Sequence, residues 1–225
     1  MKATLFQFSV PCPGKTCNVL RTLKKQQCLT APAIDIIFDN KASLAQLYNE
    51  EIKIAIDRNV DWLVLMHNDI ELENFNVCER VLESGYDVVG VAGTRSVKLQ
   101  EPALWHLMGG GFNSGRLRGA VAHGTMSKKN MTAFGPYPGR CVMLDGVFLA
   151  INRKVFEKVQ FDESNPAKFH FYDLDYTLSC HKNGFKVGVG DIQITHESPG
   201  LKEYSGEWLD GQRWFLNKHN DERRD

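Results

Sequence analysis

The feature that most constrains this chain is an alternation of apolar, strand-like runs with helical periods through its first 95 residues. Thr4 to Val10 reads as a strand, and Asn18 to Gln27 as a helix with Val19, Leu20 and Leu23 on one face. Ile34 to Phe38 is a short apolar run between Pro32 and the polar pair Asp39-Asn40, which predicts a buried strand. Ser43, followed three residues on by Gln46, is a capping box. The helix it starts bears Leu44, Leu47, Tyr48, Ile52, Ala55 and Ile56 at helical spacing. Trp62 to Met66 is another buried strand, Asn74 to Glu83 a helix closed by Gly85, and Val88 to Ala92 a fourth strand. The order βαβαβαβ predicts a parallel α/β sheet, because parallel neighbours need crossover connections rather than tight turns.

The rest of the chain is less regular. Gly109 to Gly139 is rich in glycine, holds Pro136 and Pro138, and lacks periodicity, so it predicts a long surface loop of the kind that serves as a lid or binding loop. Cys141 to Ile151 reads as a strand interrupted at Asp145-Gly146. Helices follow over Lys154 to Val159 and Asp173 to Asn183, the second closed by Gly184. Val187 to Gly190 and Ile192 to Thr195 read as short strands. Gly206 to His219 is amphipathic, with Trp208, Leu209, Gln212, Phe215 and Leu216 down one side.

Composition sets outer limits. The 225 residues are 43% apolar and 24% charged, a profile that supports one ample core and excludes disorder, collagen and coiled coil. Lys+Arg and Asp+Glu both total 27, so no global field steers a ligand. Apolar runs such as Trp62 to Met66 and Val147 to Ile151 fall far below the ~20 residues of a membrane span. The N-terminal MKATLFQFSV is broken by Gln7 and does not read as a signal peptide. Six scattered cysteines without a CxxC pair are therefore expected as reduced thiols in the cytoplasm. A zinc site from Cys12, Cys17 and Cys28 is the alternative, although its spacing fits no standard pattern. The sequence specifies no oligomeric state.

Several residue groups carry chemistry. Pro13-Gly14-Lys15-Thr16 follows a strand and opens a helix as a P-loop does, but Ser9 stands where that loop needs glycine, and Pro11 and Pro13 offer no N–H to a phosphate. The run LVLMHNDIELE is more telling. Ligands of open parallel sheets bind at the carboxyl ends of strands, and Asp69 sits at such an end with His67 two residues away. The pair is suited to a divalent cation; the plainer reading is a strand-ending turn with solvated acids. Asp39 ends the second strand, and His196 ends the last one before the turn Ser198-Pro199-Gly200. Asp173 and Asp175 lie at the start of a helix, where the dipole favours ionised carboxylates. They diverge by about 200°, so one faces a ligand and the other is a cap or a solvated acid.

Taken in order, these motifs resemble those of family 2 glycosyltransferases with the GT-A fold, over roughly residues 1–200. IIFDNKAS is similar to the family's uridine-contacting IIVDNxS through Asp39, Asn40 and Ser43. Tyr48-Asn49-Glu50-Glu51-Ile52 resembles YNxGI, with Glu for Gly. His67-Asn68-Asp69 falls on the metal-binding DxD, with His for the first Asp. Asp145-Gly146 through Phe156 resembles DGxxxLxRRxVF, and Phe161-Asp162-Glu163 with Tyr172-Asp173-Leu174-Asp175 resembles FDExxFxFYExxDL. There Tyr172 replaces the Glu of the ED pair and Asp173 falls on the catalytic base.

The resemblance implies a mostly parallel Rossmann-like sheet with flanking helices and a small antiparallel extension, in one domain over 1–225. Its nucleotide-binding half would span about 1–95 and its acceptor and catalytic half about 96–205, with a C-terminal helix over 206–225. It implies a metal-dependent inverting transferase that takes a sugar from a nucleotide-sugar donor, UDP-linked, to an acceptor hydroxyl. Mn or Mg would be held by Asp69, His196 and His67; Asp173 would be the base; and Pro11, Asp39, Asn40, Tyr48, Asn68, Trp105, Asp145 and Gly146 would line the donor site. Trp105, His106 and the run Gly109-Gly110-Gly111 would approach the sugar, although core packing suits Trp105 nearly as well.

Charge bears on the acceptor. Between Arg95 and Lys158 there are ten basic residues against three acids. Arg116, Arg118, Lys128 and Lys129 in the glycine-rich middle would grip a polyanion, which favours a hydroxymethylated base in DNA, modified by a phage-type enzyme in the host cytoplasm. Assembly of a surface glycan is the alternative acceptor reading, and a nucleotide-sugar-binding protein without activity the alternative class.

Overall fold

The computed structural model describes residues 4–97, 102–108, 110–125, 127–197 and 204–220. Its main sheet has seven strands in the order β2-β1-β3-β11-β5-β12-β9. These are β1 (Phe6–Pro11), β2 (Ala33–Ile37), β3 (Trp62–Met66), β5 (Val88–Gly90), β9 (Gly139–Arg140), β11 (Phe148–Asn152) and β12 (Val187–Val189). A second sheet, β10-β6-β7-β13-β4, is built from β4 (Ile70–Leu72), β6 (Ala92–Thr94), β7 (Leu117–Thr125), β10 (Met143–Leu144) and β13 (Ile194–His196), and β8 (Lys128–Gly135) pairs with β7. The helices are α1 (Leu20–Leu23), α2 (Leu44–Asp57), α3 (Val77–Glu83), α4 (Trp105–Met108), α5 (Arg153–Phe156), α6 (Tyr172–Lys182) and α7 (Gly206–Asn220).

The continuous apolar runs are explained by a core on each face of the main sheet. Trp62, Val64 and Met66 of β3 join one cluster, while Leu63 and Leu65 join the other. On β11, Phe148 and Ala150 divide from Leu149 and Ile151 in the same way. Helix α2 covers the second cluster with Leu44, Leu47, Tyr48, Ile52 and Ala55, and its Ser43 cap accepts the Gln46 N–H at 3.2 Å as the capping box predicts.

The sheet is mixed rather than mostly parallel. Pairs β1–β2, β1–β3 and β5–β12 are parallel, but β11 runs antiparallel between β3 and β5, and β9 is antiparallel to β12. The antiparallel part is thus no small extension. The break at Asp145-Gly146 separates β10 in the second sheet from β11 in the first. Phe148 pairs with Met66, so the loop before β11 emerges at the edge where β1, β2 and β3 end. That edge is where a site can form.

Five further expectations need correction. The long surface loop is a hairpin, β7–β8, paired from Gly119–Gly135 to Thr125–Lys128. Its glycines mark close backbone approach within a sheet: Gly119 has φ 97°, and a Cβ there would collide with the Val91 carbonyl. The fourth strand divides at Val91 into β5 and β6, and the acidic run after β3 contains buried β4.

Cys28 and Cys78 form a disulfide, against the expectation of six reduced thiols and against a zinc site using Cys28. Gln27 N–H donates to the Phe75 carbonyl at 2.6 Å, which folds the segment after α1 onto α3 across 50 residues of sequence. Cys12, Cys17, Cys141 and Cys180 are free. Among the described residues no helix is long and apolar enough to cross a membrane.

Finally, Asp175 is neither a cap nor solvated. It is buried and takes Lys218 Nζ at 2.9 Å and His219 Nε2 at 2.8 Å, tying α7 to α6. Asp175→Ala strands both partners, although Lys218 keeps Asp162 at 2.6 Å. The expected loss is about 3 kcal/mol, the low end for a broken buried pair, read from urea unfolding. A change near zero would mean that this contact does not hold α7.

Candidate active site

The segments that follow β1, β2 and β3 shape one cleft of about 300 Å³, lined by Pro11, Pro13, Asn40, Leu44, His67, Asn68, Asp69 and Phe169. Two adjacent loops form one wall. Cys12 N–H donates to Ile37 O at 2.8 Å, Asp39 N–H to Gly14 O at 3.2 Å and Asn40 N–H to Cys12 O at 3.0 Å. Asp39 adopts φ 53°, a conformation that aspartate tolerates better than most residues, and its side chain is exposed. The Asn40 amide is taken up by the Ala42 backbone.

His67 and Asp69, which line the cleft, and His196 each offer a ligand atom within 4.8 Å of the others. His67 follows β3 and is fixed by its N–H to Val147 O at 3.1 Å; His196 ends β13. Asp69 lies between the two rings, with Oδ1 3.9 Å from His67 Nδ1 and 3.4 Å from His196 Nε2. Burial pushes its carboxyl up, but His196 and His67 outweigh that and hold it below the ordinary value. Burial lowers His67, opposed by Asp69 and Asp145. His196 Nε2 is buried without a well-formed hydrogen bond among the described residues. Two imidazoles, a carboxylate held below its ordinary value and a buried ring nitrogen without a well-formed partner fit a divalent cation.

Asp173 stands beside this cluster, at the start of α6. Its Oδ2 accepts the Gly146 N–H at 2.7 Å, and the Asp145 carboxylate accepts the Val147 N–H at 3.0 Å. The helix start does not win here. Burial first and Asp145 second push the Asp173 carboxyl up to about 7, against the backbone N–H groups that favour its charge. That value suits a base that takes and releases a proton near neutrality.

The remaining sequence-predicted residues divide. Pro11, Asn40 and Asn68 line the cleft, and Asp145 and Gly146 form the turn under Asp173. Tyr48 is fully buried, its ring 5.6 Å from Tyr172 and 5.4 Å from Phe161. Trp105 is buried against Phe134. Gly109 and Ser198-Pro199-Gly200 lie outside the described residues.

The four basic candidates do not converge. Arg118 donates to the carbonyls of Gly115 and Leu117, and Lys129 pairs with Glu73 at 2.6 Å. Arg116 and Lys128 are exposed at opposite ends of the hairpin, roughly 30 Å apart at strand rise.

Sequence reasoning missed His123, whose ring is 6.1 Å from His196, and Phe169 in the cleft wall. His123 could have been found only through the register that pairs it with His196; its spacing alone gives no signal.

The model of a glycosyltransferase-like family matches residues 15–207. The chain belongs to that family. No curated protein matches it. Among solved structures, it is similar to GalNAc-T7 with UDP, GalNAc and Mn2+, at 12% identity and a TM-score of 0.58, covering 96% of this chain and 48% of the other. It is also similar to the mannosyltransferase PcManGT from Pyrobaculum calidifontis in complex with GDP-Man and Mn2+, at 12% identity and a TM-score of 0.52. That match covers 98% of this chain and 64% of the other. The chain thus spans about half to two thirds of the length of these two structures. At such identity the likeness speaks for the fold, which is GT-A.

Proposed function

We propose that this family member transfers a sugar from a UDP-linked nucleotide sugar to an acceptor hydroxyl, with a divalent cation held by His67, Asp69 and His196. The observation that carries the reading is the His-Asp-His cluster, two of whose members line the cleft, linked through Tyr172 and Gly146 to the buried Asp173 carboxyl. When bound there, the cation supplies charge to a leaving diphosphate. Its two imidazole donors favour Mn2+ over Mg2+.

Asp39 and Asn40, on the loop laced to β1, take the nucleoside, and Pro11, Pro13 and Phe169 give it apolar walls. Asp173 accepts the proton of the attacking hydroxyl. A single in-line displacement inverts the anomeric carbon. A base poised near neutral pH favours an enzyme over an inactive binding protein.

Ligand and metal stabilise the folded state by mass action, so UDP is expected to raise the melting temperature more with Mn2+ than with chelator. Asp69→Ala removes most of that difference, while UDP without metal still binds weakly. Equal shifts with and without Mn2+ would contradict a metal-dependent donor site.

The acceptor is a second proposal. Exposed Arg116 and Lys128, spread along the hairpin, suit an extended polyanion such as DNA bearing hydroxymethylated bases, and not one phosphate. The partners already taken by Arg118 and Lys129 favour the glycan alternative. Transfer to hydroxymethylated DNA that weakens steeply with salt, and less steeply in Arg116→Ala, supports DNA; salt-independent transfer to an oligosaccharide supports the glycan.

A further inference from the structure

His67 and Tyr172, which the sequence resemblance sets at the metal and base motifs, touch each other. His67 stands in place of the first aspartate of DxD, and Tyr172 in place of the glutamate preceding the base. In the fold, His67 Nε2 lies 3.1 Å from the Tyr172 hydroxyl, across 105 residues of sequence. The same hydroxyl donates to the Gly146 carbonyl at 3.2 Å. A carbonyl only accepts, so the single phenolic proton goes to Gly146, and the phenol oxygen is left to accept from the ring. The proton of the neutral imidazole is then on Nε2, and the bare nitrogen is Nδ1.

Nδ1 is the nitrogen turned toward Asp69 Oδ1, at 3.9 Å. In the opposite tautomer Nε2 would accept the phenol proton at 3.1 Å, but Gly146 O would then lose its donor, and at 3.9 Å the Nδ1–H would reach no hydrogen bond to Asp69. A bare nitrogen is what a cation needs from histidine, and the group on the other ring nitrogen decides which one is bare.

We propose that Tyr172 is a positioning residue that fixes His67 as the Nε2–H tautomer, with Nδ1 presented beside Asp69 and His196 as a metal ligand. The inference rests on the metal reading above and deepens it. An aspartate at position 67 would need no tautomer set, whereas a histidine does. Tyr48 and Phe161 pack on the Tyr172 ring and hold the phenol in place.

The first test needs no metal. Side-chain 15N NMR of the metal-free protein at pH 8 is expected to show His67 protonated at Nε2 alone, and a mixture of tautomers in Tyr172→Phe. A wild-type Nδ1–H tautomer overturns the proposal. The second test is Mn2+ binding followed by EPR of the free ion. Tyr172→Phe is expected to weaken binding by about 10–100-fold, the usual cost of losing the partner of a ligating histidine.

In a His67→Asp background the same change should cost little, because no imidazole remains to orient. Equal loss in both backgrounds would mean that Tyr172 acts through packing and would overturn the positioning role. A melting temperature and near-UV CD spectrum like those of the wild type establish that Tyr172→Phe is folded. A wild-type protein that binds no Mn2+ contradicts the metal site itself, and the tautomer measurement still decides the Tyr172–His67 contact separately.

Discussion

Asp173→Asn is expected to lower sugar transfer by about 10²–10⁴-fold while leaving UDP and Mn2+ binding unchanged. The amide oxygen can still accept the Gly146 N–H, so the turn survives, but the side chain cannot take a proton. Wild-type turnover should rise with pH through about 7, where burial and Asp145 hold this carboxyl.

The same shift has a stability consequence with the opposite slope. A carboxyl whose folded value lies above its ordinary 3.8 stabilises the fold while protonated. That contribution is complete below about 3.8 and is lost as pH rises through about 7. Asp173→Asn should therefore gain melting temperature relative to the wild type at pH 8 but not at pH 3.5. Near-normal turnover in the variant would remove Asp173 as the base.

Gly146→Ala is expected to damage both halves of the site at once. The Gly146 N–H serves Asp173 and its carbonyl serves Tyr172, so one residue joins the base to the His67 partner. A Cβ there would press on the Tyr172 hydroxyl and stand 2.6 Å from Asp173 Cβ, with no flexible side-chain end to yield. Overpacking of this kind costs about 1–3 kcal/mol. Turnover should fall at least as far as in Asp173→Asn, and Mn2+ affinity should fall with it, which Asp173→Asn leaves alone. Calorimetric unfolding, the EPR titration and a transfer assay on one preparation check all three. Loss of turnover with Mn2+ affinity intact would mean that Gly146 does not link the two groups.

What the sequence could and could not reveal follows from the range of the interactions. Strands β1, β2 and β3 and helix α2 were legible because each carries its own period, cap or flanking prolines. Their parallel order puts Asp39 and His67 at one edge, so the place of the site was legible too. The β7–β8 hairpin was not, because its strands alternate glycine and alanine with larger residues, and the glycines serve close approach to Val91 and Leu117 rather than turns. The Cys28–Cys78 bridge and the Asp175–His219 contact join residues 50 and 44 positions apart, and nothing local marks them.

The sequence singles out Asp173 by its position, but the helix start predicts a lowered carboxyl where the fold raises it. The helix start acts through one turn of partial charge, whereas burial beside Asp145 acts on the full charge, and the larger effect wins. Tyr172 was visible only as a departure from a pattern; its contact with His67 required the fold.

The most direct measurement of the metal-dependent donor site is a crystal structure grown with UDP and Mn2+, with anomalous data collected at the manganese edge. One manganese peak is expected, bound by His67 Nδ1, Asp69 and His196 Nε2, with the UDP phosphates on it and the uracil near Asp39 and Asn40. A manganese peak elsewhere, or UDP bound in this cleft with no metal at the three side chains, would contradict a metal-dependent donor site.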